Sequence, residues 1–309
     1  MKAFFLQPIE DIASCLERQF VSARSWRQVA LRIAISLTSF VACWFIYVPI
    51  HELLHVAGCV ITGGSVSELQ IAAKYGAALL AKVFPFVVTG GDYAGRLTGF
   101  DTKGSDFIYF ATDFLPFVLS ILFGVPLVKY CTYKGNRAVF GIAMVVGFAP
   151  IYNLLGDYYE MGSTLTTRFI TIVARGGGPP MYAGIRSDDV FRLIEELTSN
   201  GTEESGDSSR EPPPVDAAPD PGDDPALASG DSSREPPPVD AAPDAGDDVA
   251  SLPAVPASTL ATIALIAASF LMGVLLALGT YWAGCGFARL IVKPPVASES
   301  AVGSADGAR

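Results

Sequence analysis

Histidine is nearly missing from this chain: there are two in 309 residues, His51 and His55. Any imidazole chemistry must therefore occur at that one place. Cysteine is sparse. Cys15, Cys43, Cys59, Cys131 and Cys285 are scattered with no C-x-x-C pair, which argues against a thiolate zinc site and against a disulfide framework. There is no basic patch with interleaved aromatic residues, so a nucleic-acid partner is not expected. No cleavable signal peptide is visible. Residues 1–28 mix apolar and charged positions and read as an amphipathic helix lying on a membrane surface. The glycine-rich stretch Arg175–Pro180 lacks the lysine and spacing of a phosphate loop and reads as a hinge.

What is present divides by position. The net charge is −10, but residues 203–248 alone carry 14 acidic residues and 2 arginines, so the remainder is close to neutral. Residues 205–224 (SGDSSREPPPVDAAPDPGDD) recur at 229–248 with 19 of 20 positions identical and a period of 24. Ten of the 22 prolines fall in this region. Such a composition cannot bury enough apolar surface to offset its ordering entropy, so residues 203–256 are expected to form a disordered acidic linker.

Outside the linker the chain is apolar. Four stretches approach or exceed the roughly 20 residues of helix needed to cross a bilayer: Ile33–Ile50, Phe107–Val128, Ala138–Gly156 and Ala257–Ala288. Asp113 is the one charge among them. The fold class expected is an all-α polytopic membrane protein with about four transmembrane helices. A short β-strand region follows the first, with strands at Val66–Ala73 and Leu79–Val88 separated by turns at Gly63-Gly64 and Gly90-Gly91-Asp92. The organisation expected is an interfacial segment (1–32), a membrane core (33–165), a connector (166–202), the linker, a final membrane helix (257–292) and a flexible tail (293–309). Gly279 and Ala283, with Gly284 and Gly286 nearby, are expected to pack that last helix against the others. Ten basic residues, among them Lys2, Arg18, Lys129, Arg137 and Arg289, fall on one side of the spans. That side is expected to be cytoplasmic and to hold both termini.

His51-Glu52-Leu53-Leu54-His55 is an HExxH sequence. On a helix, positions i and i+4 share a face, so both imidazoles point at one spot and can share a zinc ion. Glu52 lies about 100° round the helix, suited to act as a base on a water rather than as a ligand. The pair sits in an apolar run, where an ionisable group is costly and normally functional. Two histidines leave such a site one protein ligand short. The third stretch ends in Asn153, Asp157 and Glu160 at i, i+4, i+7, which reads as one polar stripe. His51 lies 19 residues past Arg32 and Asp157 lies 20 past Arg137, so in straight parallel helices both stand about 28–30 Å from one membrane edge. Asp157 is therefore the first choice of third ligand, Glu160 the second and Asp113 the third. Cys59, one turn beyond His55, reads as a small buried hydrophobe.

At these residues the chain resembles the site-2 protease family of intramembrane zinc metalloproteases. Those proteins carry HExxH in one membrane helix and an Asp in a later one, commonly within N-x-x-P-x-x-x-L-D-G. Here His51, Glu52 and His55 match the first motif, and Asn153, Leu155 and Asp157 follow the second in order. Pro150 precedes the Asn instead of following it, and Gly156 precedes the Asp. The resemblance covers about residues 30–165. It implies a zinc-dependent endopeptidase in which Glu52 activates a water and the substrate is a membrane protein cut within or near the bilayer. It also implies an edge strand offered to that substrate, for which the Val66–Val88 region is the candidate, and a role for Asn153 in holding substrate or the developing oxyanion. The setting expected is a bacterial plasma membrane.

Three other readings stay open. A membrane metalloprotease of the class with HExxH and a Glu ligand would use Glu160. A catalytically inactive membrane scaffold or regulator would keep a vestigial metal site, though a purely structural zinc has no use for Glu52. A transporter is weakly supported, since the spans show no inverted repeat.

Overall fold

The computed structural model describes residues 2–186, apart from 22, 24 and 92, together with 190, 193 and 259–292. The expected linker and tail lie outside the described residues.

Helix α1 (Lys2–Phe20) leads into the long α2 (Trp26–Ile61), whose N-terminus is capped by the Ser25 hydroxyl. Serine in extended geometry satisfies one of the free amides there. A small sheet follows, then α4 (Asp106–Phe114), α5 (Val125–Lys134), α6 (Arg137–Gly147), α7 (Ala149–Tyr152) and α8 (Asp157–Arg175). A last helix, α9, runs from Thr259 to Ile291.

Among the described residues, three helical stretches are long and apolar enough to cross a membrane: Trp26–Ile61, Asp106–Lys134 and Leu260–Ile291. The second is not uniform. Between α4 and α5 the chain passes through a 3-10 turn at Leu115–Phe117 and a π turn at Ser120–Gly124. Pro116 and Pro126 lack the amide proton that a regular α ladder requires. The expected span at Ala138–Gly156 is corrected. It is an 11-residue α6 followed by the single-turn α7 and a turn at 153–156. Phe148 leaves helical geometry at φ −106°, ψ 7°, and Pro150 begins the next turn. The polar stripe is corrected with it: Asn153 lies outside α8, and Asp157 begins that helix.

The helices approach most closely at glycines. A Cβ on Gly162 of α8 would stand 2.7 Å from Gly273 N of α9, and one on Gly273 would stand 2.5 Å from Tyr158 O. Small residues let the two backbones meet there. The expected contact at Gly279 is not made, since a Cβ at Gly279 or Gly286 would meet open space, whereas Gly284 packs on Val125.

Helix α1 lies across α5 and α9. Asp11 receives Lys129 Nζ at 2.5 Å and the Tyr281 hydroxyl at 2.6 Å, and Trp282 Nε1 donates to Phe4 O at 3.0 Å. Cys15, Cys131 and Cys285 are buried in the same cluster as free thiols.

The sheet has three strands in the order β2-β1-β3. Strand β1 (Ser65–Ile71) is central, parallel to β2 (Val87–Thr89) and antiparallel to β3 (Gly95–Asp101). The strand expected at Leu79–Val88 is corrected. Gly76 turns the chain through left-handed geometry into a four-residue helix α3 (Ala77–Leu80), and only the end of the segment is extended. Strand β3 was not foreseen, because glycines at 95 and 99 blur its alternation. Gly99 has its own reason. β1 is irregular between Val66 and Leu69, and a Cβ at residue 99 would stand 2.9 Å from Glu68 N.

Candidate metal centre

His51 and His55 lie on α2 one turn apart and are both buried, at 6% and 7% exposure. Asp157 arrives from the first turn of α8, where the helix dipole favours a carboxylate. His51 Nε2 stands 3.2 Å from His55 Nε2 and 3.2 Å from Asp157 Oδ2, and His55 Nε2 stands 3.7 Å from that oxygen.

These separations fit a metal ion. Ligands at about 2.0–2.1 Å in a tetrahedron lie roughly 3.3 Å from one another. The outer ring nitrogens reinforce the reading. His55 Nδ1 faces the Thr112 carbonyl at 2.9 Å. A carbonyl only accepts, so this nitrogen carries the proton and Nε2 presents a lone pair to the triangle. His51 Nδ1 meets the Tyr47 hydroxyl at 3.0 Å. Outer partners of this kind orient metal-binding imidazoles. Phe117 closes the floor, with its ring 5.5 Å from that of His51 and 4.4 Å from that of Tyr158. Among the described residues, this is the group of His, Cys, Asp and Glu side chains whose ligand atoms converge closely enough to hold a metal.

The triangle opens into a cavity of about 960 Å³. Glu52, Asn153, Asp113 and Glu160 also line it, and so do Tyr93–Thr98 and Phe100 of β3 and its approach. Glu52 is outside the triangle and lies against β3: a Cβ at Gly95 would stand 2.5 Å from Glu52 Cδ and 3.0 Å from Oε1. Glu160 is likewise outside it and accepts the Tyr109 hydroxyl. Asp113 faces the cavity without joining the three. Asn153 donates through Nδ2 to Ala149 O at 3.0 Å, and its carbonyl receives Tyr158 N at 3.1 Å, so it secures the turn that delivers Asp157. Cys59 points away, towards the Ser65 and Asp101 carbonyls.

Tyr47, Thr112, Gly95 and Arg186 belong to the same surroundings and were not singled out from sequence. Only Tyr47 left a signal, one turn before His51 on the same face. Thr112 acts through a backbone carbonyl, which no side-chain pattern records. No family model, curated protein or solved structure matches the chain.

Proposed function

We infer that this chain is a zinc-dependent endopeptidase of the membrane, related in mechanism to the site-2 proteases. The observation that carries the reading is the His51–His55–Asp157 triangle with Glu52 beside it in one cavity. The HExxH glutamate is kept, and it stands off the ligand set, where a base belongs.

His51, His55 and Asp157 would hold the ion, with Tyr47 and the Thr112 carbonyl fixing the two rings. Zinc bound there would supply a Lewis acid that polarises the scissile carbonyl and makes water more acidic. Glu52 takes a proton from the attacking water as its oxygen bonds to the carbonyl carbon. It returns that proton to the departing nitrogen as the C–N bond breaks. Asn153 lines the same cavity, where a bound chain would lie.

Strand β3 supports a polypeptide substrate. It lines the cavity and pairs with β1 on one side only, among the described residues. An extended peptide can add to such a strand through main-chain hydrogen bonds. β1 is central in the sheet, and of the two edge strands, β2 and β3, it is β3 that lines the cavity, so β3 is the docking element we favour over β2 at the end of the Val66–Val88 region. The three long apolar helices favour a multi-pass protein acting on membrane or membrane-proximal segments. The basic residues flanking them favour cytoplasmic termini, an arrangement in which the shorter α6–α7 stretch makes the fourth passage between the two sides.

The test is Glu52→Gln. Purified protein should retain its metal while cleavage of a reporter substrate falls by about 100- to 10,000-fold. Asp157→Ala should lose the metal and Glu160→Ala should keep it; the opposite pair of results assigns the third ligand to Glu160 and the protein to the other metalloprotease class.

A further inference from the structure

Asp113 carries a carboxyl group whose Oδ2 atom finds no protein partner. It is 5% exposed, and its Oδ2 atom has no hydrogen-bonding group within reach. It lines the cavity that holds the metal triangle and Glu52. A buried carboxyl oxygen left unsatisfied carries a desolvation cost, so its retention calls for a donor.

The position is rigid. Next to Asp113, the Thr112 carbonyl is tied to His55 Nδ1 at 2.9 Å, and the Thr112 hydroxyl donates to Ile108 O at 2.9 Å. One turn of α2 presses directly on this site, where a Cβ at Gly58 would stand 2.5 Å from Ala111 O. The backbone that carries Asp113 is therefore fixed against α2. It is also outside the converging ligand set, which consists of His51, His55 and Asp157. Nor does Arg186 on the same wall supply the donor: its guanidinium is held by Asp106 at 2.9 Å and Thr167 at 2.9 Å.

The missing donor is of the kind a polypeptide brings. A strand added to β3 directs alternate amides towards β3 and the intervening ones away from it. Away from bulk water, each of those outward amides needs an acceptor. We propose that Asp113 is a substrate-anchoring residue whose free carboxyl oxygen accepts a hydrogen bond from a backbone N–H of a polypeptide lying along β3. The assignment rests on the peptidase reading for its choice of ligand. It adds a second wall to substrate recognition, contributed by α4 and opposite in chemistry to the metal side.

The experiment separates binding from cleavage. A fluorescein-labelled apolar peptide of about 20 residues is titrated in detergent against Glu52→Gln protein with and without Asp113→Leu, and metal content is measured alongside. Expected is a loss of affinity of roughly 10- to 100-fold with metal retained. A series of the same peptide, N-methylated at one amide at a time, should contain one position whose penalty vanishes in the Asp113→Leu background. Asp113→Asn, which keeps the shape and one acceptor oxygen, carries the same cycle if the leucine variant does not fold, with an expected loss of about 10-fold. Unchanged affinity, or methylation penalties that are the same in both backgrounds, overturns the assignment. Loss of metal from Asp113→Asn also overturns it, by making Asp113 a ligand. Cleavage by the chain with Glu52 intact is scored separately. No cleavage, with binding that still depends on Asp113, refutes the peptidase reading and leaves the anchor standing.

Discussion

Replacing Gly95 by alanine should cut catalysis about 100-fold while leaving the fold and the metal in place. Gly95 opens β3 with its Cα turned onto the Glu52 side chain, and an added methyl carbon would lie 2.5 Å from Glu52 Cδ. Carbon atoms settle at about 3.5–4.0 Å, so the shortfall is roughly 1 Å or more. The neighbours that must yield are Glu52 Cγ first and Cδ behind it, side-chain and not backbone atoms, so the glutamate must turn as a whole at a modest cost in stability. Alanine also restricts the unfolded chain more than glycine does, which offsets part of it. The carboxylate, however, must move by a distance comparable to the shortfall, and a misplacement of about 1 Å costs on the order of 100-fold in rate. Three measurements on one preparation suffice: metal content, the midpoint of thermal unfolding in detergent, and kcat/KM on a reporter peptide. Expected are one equivalent of metal, a midpoint within a few degrees of wild type and activity reduced about 100-fold. Full activity would refute the placement of β3 over Glu52. Loss of metal or a collapsed midpoint would refute the claim that Glu52 alone absorbs the clash.

Two further outcomes follow from other contacts. Gly58→Ala places its methyl 2.5 Å from Ala111 O and 2.9 Å from Thr112 Cα. These are backbone atoms that cannot step aside, so the variant should lose about 1–3 kcal/mol in denaturant unfolding and bind metal more weakly as the Thr112 carbonyl shifts from His55; stability equal to wild type would show that the two helices are not in contact there. The Glu68 carboxyl on β1 is held below the ordinary carboxylate range by Gln70 Nε2 at 2.8 Å and Thr98 Oγ1 at 2.9 Å. A lowered folded-state pKa stabilises the fold above the unfolded value of about 4.3, and that gain disappears as pH falls through the folded value. Glu68→Gln should therefore be less stable than wild type at pH 7, with the gap closing in acid; a gap independent of pH would remove the carboxylate from the account.

The HExxH pair was legible because a helix converts four residues of spacing into one shared face, a rule that needs no tertiary knowledge. Asp157 was legible for a less secure reason. The depth argument assumed one straight span from residue 138 to 156, and the chain instead breaks at Phe148 and again at 153–156. The carboxylate still reaches the imidazoles, because α8 restarts at Asp157 itself. Arithmetic along a helix led to the carboxylate that converges with the two imidazoles, by a path the chain does not follow. Strand β3 was not legible, since the glycines that let it lie on Glu52 and fit the irregular β1 are the residues that weaken a strand pattern. The last helix was legible as a span but not in its contacts. Glycine spacing alone does not say which side meets a neighbour, and Gly273, outside the predicted motif, makes the approach to α8.

The clamp of Asp11 on Tyr281 joins positions 270 residues apart. During synthesis the first helix emerges long before its final partner exists. Until α9 is made, Asp11 can hold Lys129 but not the Tyr281 hydroxyl, and the aromatic stack of Phe4 on Trp282 is also unmade. Closure of this end of the bundle thus waits for α9, and a chain truncated before it holds its first helix through α5 and not α9.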